Sequence, residues 1–143
     1  MGAALQLLRH ARRRLDGLLR QAAQRWPDRV AVDFFGAHTT YAELDALVDR
    51  AVAGLRQLGV GVGTRVSLVM PNCTAHIVAF YAVTRCGAVV VEHNPTYTTA
   101  ELHDQFNLTK SRVALVWRNP LVFLLTNLGS MLGVWISGAA IAR

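Results

Sequence analysis

Few residues in this sequence have types and spacing that could do chemistry, and the best of them stand together as Glu92-His93-Asn94. A histidine beside a glutamate can serve as acid and base. In open parallel sheets ligands collect beyond the carboxyl ends of strands, which is where this triplet would lie. The simpler reading, and the one adopted, is a loop in which Asn94-Pro95 sets a turn and His93 is solvated. Cys73 and His76 can share a helix face, but a metal site needs three or four ligands, so they read as a packed pair. The other histidines, His10, His38 and His103, are scattered. The single lysine, Lys110, lies in the polar connection NLTKSR with nothing glycine-rich around it. Cys73 and Cys86 lack C-x-x-C spacing, and two cysteines in a chain without a secretory signal read as reduced thiols in a cytoplasmic protein. No residue is therefore assigned a catalytic, cofactor-binding or metal-ligating role.

These residues hang on a strand, helix, strand unit from Arg65 to Pro95. RVSLVM is apolar and rich in β-branched residues, and Pro71-Asn72 marks where a strand stops and a helix starts. Cys73 to Cys86 places Ile77, Val78, Tyr81 and Arg85 on one helical face, with Gly87 where the helix ends. Ala88 to Val91, uniformly apolar and bounded by Gly87 and Asn94-Pro95, suits a strand covered on both faces. The unit predicts an α/β fold: a partial parallel-sheet layer of four or five strands with flanking helices.

Upstream, Val30 to Phe35 alternates as a strand, and Gly36-Ala37-His38 is read as a turn toward Thr40. Thr40 and Glu43 have capping-box spacing. Leu44, Leu47, Val48, Ala51, Leu55 and Leu58 form the apolar face of the helix that follows, closed by Gly59. Downstream, Thr98 and Glu101 repeat the capping box and open a short helix to about Phe106; Arg112 to Trp117 then contains a further buried strand.

The net charge is +6, but six arginines against one aspartate precede Trp26, which leaves the rest of the chain near neutral. Nucleic-acid binding is excluded on that distribution. Residues 1–25 have helical periodicity through Leu5, Leu8, Leu15, Leu19 and Ala22, interrupted by Arg9 to Arg14 in a way no secretory signal tolerates. This first segment reads as a helix packed on the domain with its arginines in water, the alternative being a basic amphipathic helix on anionic lipid.

Several of these stretches, in order, resemble a known family. PDRVAV (27–32), TTYAEL (39–44), RVSLVMPN (65–72), the helix from Cys73 and GAVVVEHNPTYTTAEL (87–102) are similar to the amino-terminal region of AMP-forming acyl-CoA synthetases, the fatty-acid ligases above all. Each motif alone is weak; five in order are specific. The resemblance covers roughly residues 26–116 and implies a fatty-acid–CoA ligase, which activates a fatty acid with ATP as an acyl-adenylate and passes it to CoA, with Mg as the metal. It also implies a Ser/Thr/Gly-rich loop ending in lysine and a second lysine on a carboxy-terminal domain. Neither occurs in these 143 residues, so the expectation is a truncated chain that binds none of these cofactors and is inactive alone. The alternative is a non-enzymatic membrane-tethered interaction module, or one part of a split ligase.

Composition changes sharply after residue 117. From Asn119 to Ala142 there is no charged residue, and Leu121 to Ala142 would span about 33 Å as a helix against roughly 30 Å of bilayer hydrocarbon. Gly129 and Gly133 stand in helix-pairing spacing. The expected organisation is a basic helix over 1–25, an α/β part over 26–117 and an apolar tail over 118–143 that forms a helix able to cross a membrane.

Overall fold

The computed structural model of the chain describes residues 15–116. A helix, α1, occupies 15–25. It is followed by β1 (Val30–Phe34), β2 (Ala37–Thr40), α2 (Tyr41–Gln57), β3 (Arg65–Val69), α3 (Thr74–Arg85), β4 (Val89–Glu92), α4 (Thr99–Thr109) and β5 (Val113–Val116). The expected apolar helix after residue 117 lies outside the described residues. No helix among the described residues is long and apolar enough to cross a membrane.

The strands form two sheets rather than one layer. β3, β4 and β5 make a parallel sheet in the order β4-β3-β5, while β1 and β2 form a separate antiparallel pair. The residues read as a turn, Ala37 and His38, belong to β2, where they pair with Phe34 and Asp33. The reversal needs only Phe35 and Gly36, at φ +52° and +81°. Two positive φ values are the geometry whose twist matches paired strands, so the turn is tighter than the spacing suggested.

Both capping boxes form. The Thr40 and Thr98 hydroxyls accept from the Glu43 and Glu101 amides, and each glutamate reaches back to its threonine. These bonds hold the Glu43 and Glu101 carboxyls below the usual carboxylate range. In α2, Leu44, Val48, Val52 and Leu55 are buried, and Gly59, at φ +76°, follows the helix.

Side chains alternate across a strand, and the parallel register aligns Val66 with Val90 and Val113, and Leu68 with Leu115. This row packs with Leu44, Val48, Val52 and Leu55 of α2 and Ala79, Ala82 and Val83 of α3 into the main core. Ser67, Val69, Val91, Ala114 and Val116 point the other way, toward the side that carries α4. No residue of α4 is buried.

Candidate functional site

The carboxyl end of the parallel sheet brings together the polar residues that sequence singled out, in an arrangement the sequence reading did not give. Glu92 ends β4 and His76 lies in the first turn of α3; the His76 Nε2 is 3.0 and 3.1 Å from the two Glu92 carboxylate oxygens. The His76 imidazole is therefore paired with Glu92, while its amide donates to the Cys73 carbonyl at 3.1 Å. Cys73 is the N-cap of α3, with extended backbone and no side-chain cap bond, so it stands before the helix rather than on its face.

His93 is not solvated. It retains 8% of its exposure, because the parallel ladder runs one residue beyond the end of β4: the His93 amide donates to the Leu68 carbonyl at 3.0 Å. Strand alternation then carries the imidazole to the face of Val91 and Ser67. Its Nε2 is 2.7 Å from Ser67 Oγ, and its ring meets Phe106 of α4 edge to face at 5.2 Å. Burial pushes the imidazole below its ordinary pKa, with the Glu92 charge opposing. The Asn94-Pro95 turn does form: the Tyr97 amide donates to the Asn94 carbonyl, and Asn94 Oδ1 accepts from the Thr96 amide and hydroxyl.

Ser67 has no exposed surface and donates to Ser111 Oγ at 2.7 Å. The sequence signal for it was a lone hydroxyl inside the apolar run RVSLVM, which β propensity alone does not mark as functional.

At the other end of α3, Arg85 is an ion-pair hub. Its guanidinium meets Asp16 of α1, Asp45 of α2 at 2.5 Å and Asp49 of α2 at 2.8 Å. Only 3% of the side chain is exposed. Burial alone would lower the guanidinium pKa, but the carboxylate bonds outweigh it and hold it above the ordinary arginine value. The hub closes three helices on one another through all three guanidinium nitrogens, so its chemistry is structural. The available signal was Asp45 and Asp49 at i, i+4 beside the apolar stripe of α2.

An apolar cleft of about 260 Å³ opens between α1, the β1–β2 hairpin and α2 and α3, lined by Leu18, Ala22, Val32, Tyr41, Ile77 and Tyr81 among others. No charged side chain lines it. No group of three or more His, Cys, Asp or Glu among the described residues is placed to hold a metal ion.

Residues 19–138 match the AMP-binding enzyme family. The match reaches further in both directions than the motifs over 26–116. Among curated relatives, the chain is 45% identical over 95 residues to a salicyl-AMP ligase / salicyl-S-ArCP synthetase of Mycobacterium tuberculosis, covering 63% of this chain and 17% of that protein. It is 33% identical over 111 residues to a long-chain-fatty-acid–CoA ligase of Bacillus subtilis, covering 76% and 19%. Among solved structures, apo MbtA of Mycobacterium smegmatis superposes with a TM-score of 0.65 at 41% identity, covering 70% of this chain and 19% of that one. The chain thus spans about a fifth of the length of the relatives it matches. With most of its length matched and its parallel sheet superposing on the solved fold, this chain belongs to the AMP-binding enzymes, as the amino-terminal region of the adenylate-forming fold.

Proposed function

We propose that the chain supplies the amino-terminal part of an ATP-dependent ligase that activates a fatty acid as its acyl-adenylate and transfers the acyl group to CoA, releasing AMP. The observation that carries this is the ordered motif set from PDRVAV to NPTYTTAEL, of which the first two lie at β1 and at the β2–α2 junction and the rest run through β3-α3-β4 into α4. The described residues do not themselves fit ATP, Mg²⁺ or CoA. Their one lysine, Lys110, caps α4 at φ +52°, no glycine-rich phosphate loop adjoins it, and no cluster of metal donors exists among them. No chemical step is therefore assigned to these residues: they hold the sheet on which an adenylating site is completed by other segments, and the 143 residues alone are inert. Pyrophosphate exchange into ATP is expected to be absent for the isolated chain with any carboxylic acid. Exchange driven by a fatty acid would defeat this assignment of roles.

An aryl acid is the second reading for the substrate, favoured by the 45% identity to the salicyl-AMP ligase. Assaying a completed ligase with palmitate and with salicylate separates the two.

The chain is further proposed to be cytoplasmic; the alternative is a tail that tethers it to the membrane through residues 121–142, against which stands the family match through residue 138. If they span it, Lys110, Arg112 and Arg118 on one side against Arg143 on the other put the α/β part inside. Carbonate extraction of membranes decides between the two: retention in the pellet supports the spanning tail, and full release excludes it.

A further inference from the structure

His93, Ser67, Ser111 and Thr109 form a chain of side-chain hydrogen bonds whose direction is determined from its far end. Each hydroxyl has one proton to give. Thr109 Oγ1 donates to the Gln105 carbonyl at 2.8 Å, so in its 3.1 Å contact with Ser111 it must accept. Ser111 has then given its proton to Thr109, and it accepts from Ser67 at 2.7 Å. Ser67, with its proton committed, can only accept from His93 Nε2 at 2.7 Å. The four residues sit on four separate pieces of the fold: the end of β4, the middle of β3, the connection before β5, and the last turn of α4.

We propose that His93 is the positioning residue of the carboxyl end of this sheet: a one-way hydrogen-bond chain fixes it as the Nε2-protonated neutral imidazole, and its protonation releases α4 and β5 from β3. A second proton, on Nδ1, leaves the Nε2 bond to Ser67 in place but buries a cation against the Phe106 ring and the Ser67 hydroxyl, and opening this face is what returns that charge to water. The titratable groups near it are few. Glu92 precedes it on β4 and is itself engaged by His76 of α3; α4 offers the Phe106 ring; β3 offers Ser67 and Arg65, whose guanidinium donates to the Thr109 carbonyl at 3.2 Å; and the α4–β5 connection offers Ser111 between the cations Lys110 and Arg112. On this face Arg65 adds a like charge, while the Glu92 carboxylate, turned to the α3 side, opposes it only from the exposed rim. The depressed pKa of the ring agrees with this geometry.

The remote member of the chain gives the decisive variant. Ser111→Ala removes the acceptor for the Ser67 proton, so Ser67 turns to donate to His93, and the imidazole must accept at Nε2 and carry its proton on Nδ1. Long-range proton–nitrogen correlation on the full chain with 15N-labelled histidine reads the tautomer of each ring, and His93→Gln assigns the resonance. The expected result is an Nε2-protonated His93 in the natural sequence that titrates below the ordinary imidazole value, and a switch to the Nδ1-protonated form in Ser111→Ala. An unchanged tautomer in that variant, or titration of His93 at or above the ordinary imidazole value, overturns the proposal. Amide exchange adds a readout that a passive packing role would not move. Protection of Ala114 to Val116 falls as the pH is lowered through the His93 transition while that of Val66 to Leu68 against β4 persists; uniform loss along the sheet overturns the release step. The natural sequence alone supplies the titration and exchange data should the variant fold poorly, and both are independent of which acid the completed ligase takes.

Discussion

The two faces of the parallel sheet are built from the same strands yet are stabilised in different ways. Val66, Leu68, Val90, Val113 and Leu115 face α2 and α3 and join a continuous apolar core. Ser67, Val69, Val91, Ala114 and Val116 face the side of α4, which buries none of its own residues and meets the sheet through hydroxyls and the His93–Phe106 contact. α2 and α4 begin with the same capping box, so local sequence starts both helices equally well. What differs is the apolar stripe that follows the cap: only α2 has one long enough to be held by burial. Capping decides where a helix starts; packing decides how firmly it stays.

The largest effect is expected on the well-packed side. Arg85→Ala leaves Asp16, Asp45 and Asp49 converging on an empty site, and breaking a buried ion cluster by removing one partner costs about 3 kcal/mol or more. Urea unfolding should show it, and Arg85→Lys should recover little because one ammonium cannot meet three carboxylates in a fork. Leu68→Ala opens a cavity in the core and is expected to cost about 3 kcal/mol. Val116→Ala, on the other face and 43% exposed, should cost well under 1 kcal/mol by the same measurement. Equal losses from these two would erase the contrast between the faces.

The caps sharpen it further. Thr40→Ala and Thr98→Ala each remove one cap worth about 1 kcal/mol. The first is expected to lower global stability, and the second chiefly the amide protection of α4, because α4 can open without the core. A pH effect belongs to the α4 side as well. Burial holds the His93 pKa below the ordinary 6.5, so the unfolded chain takes up its proton first as pH falls. The contribution of His93 is complete above that value and is lost as pH drops through the lower, folded-state value. His93→Gln should flatten this part of the stability profile. The smallest change is a gain: Phe35 holds φ +52° with 96% of its surface exposed, and Phe35→Gly should raise stability by up to about 1 kcal/mol by relieving a left-handed backbone.

Much of this contrast was legible beforehand where it depends on neighbours in sequence. Both threonine–glutamate caps, the apolar face of α2, Gly59 and Gly87 as helix ends and the parallel pairing of β3 with β4 all follow from short-range rules. The Phe35-Gly36 turn was obscured because phenylalanine is a poor indicator of positive φ, and β2 was lost with it. The polar contacts were hidden for a different reason. Arg85 was placed on a face with Ile77, Val78 and Tyr81, but its partner Asp16 comes from 69 residues away, and His93 looked solvated because its burial depends on Ser67, 26 residues before it. Side chains whose partners come from distant strands and helices carry no periodic signal.

The central claim is that this α/β unit is the amino-terminal part of a carboxylate-activating ligase, and a chimera tests it most directly. Residues 26–116 would replace the matching segment of the Bacillus subtilis long-chain-fatty-acid–CoA ligase, with circular dichroism and gel filtration confirming a folded product. ATP–pyrophosphate exchange dependent on a long-chain fatty acid is the predicted result; a folded chimera with no exchange for any carboxylic acid would contradict the claim.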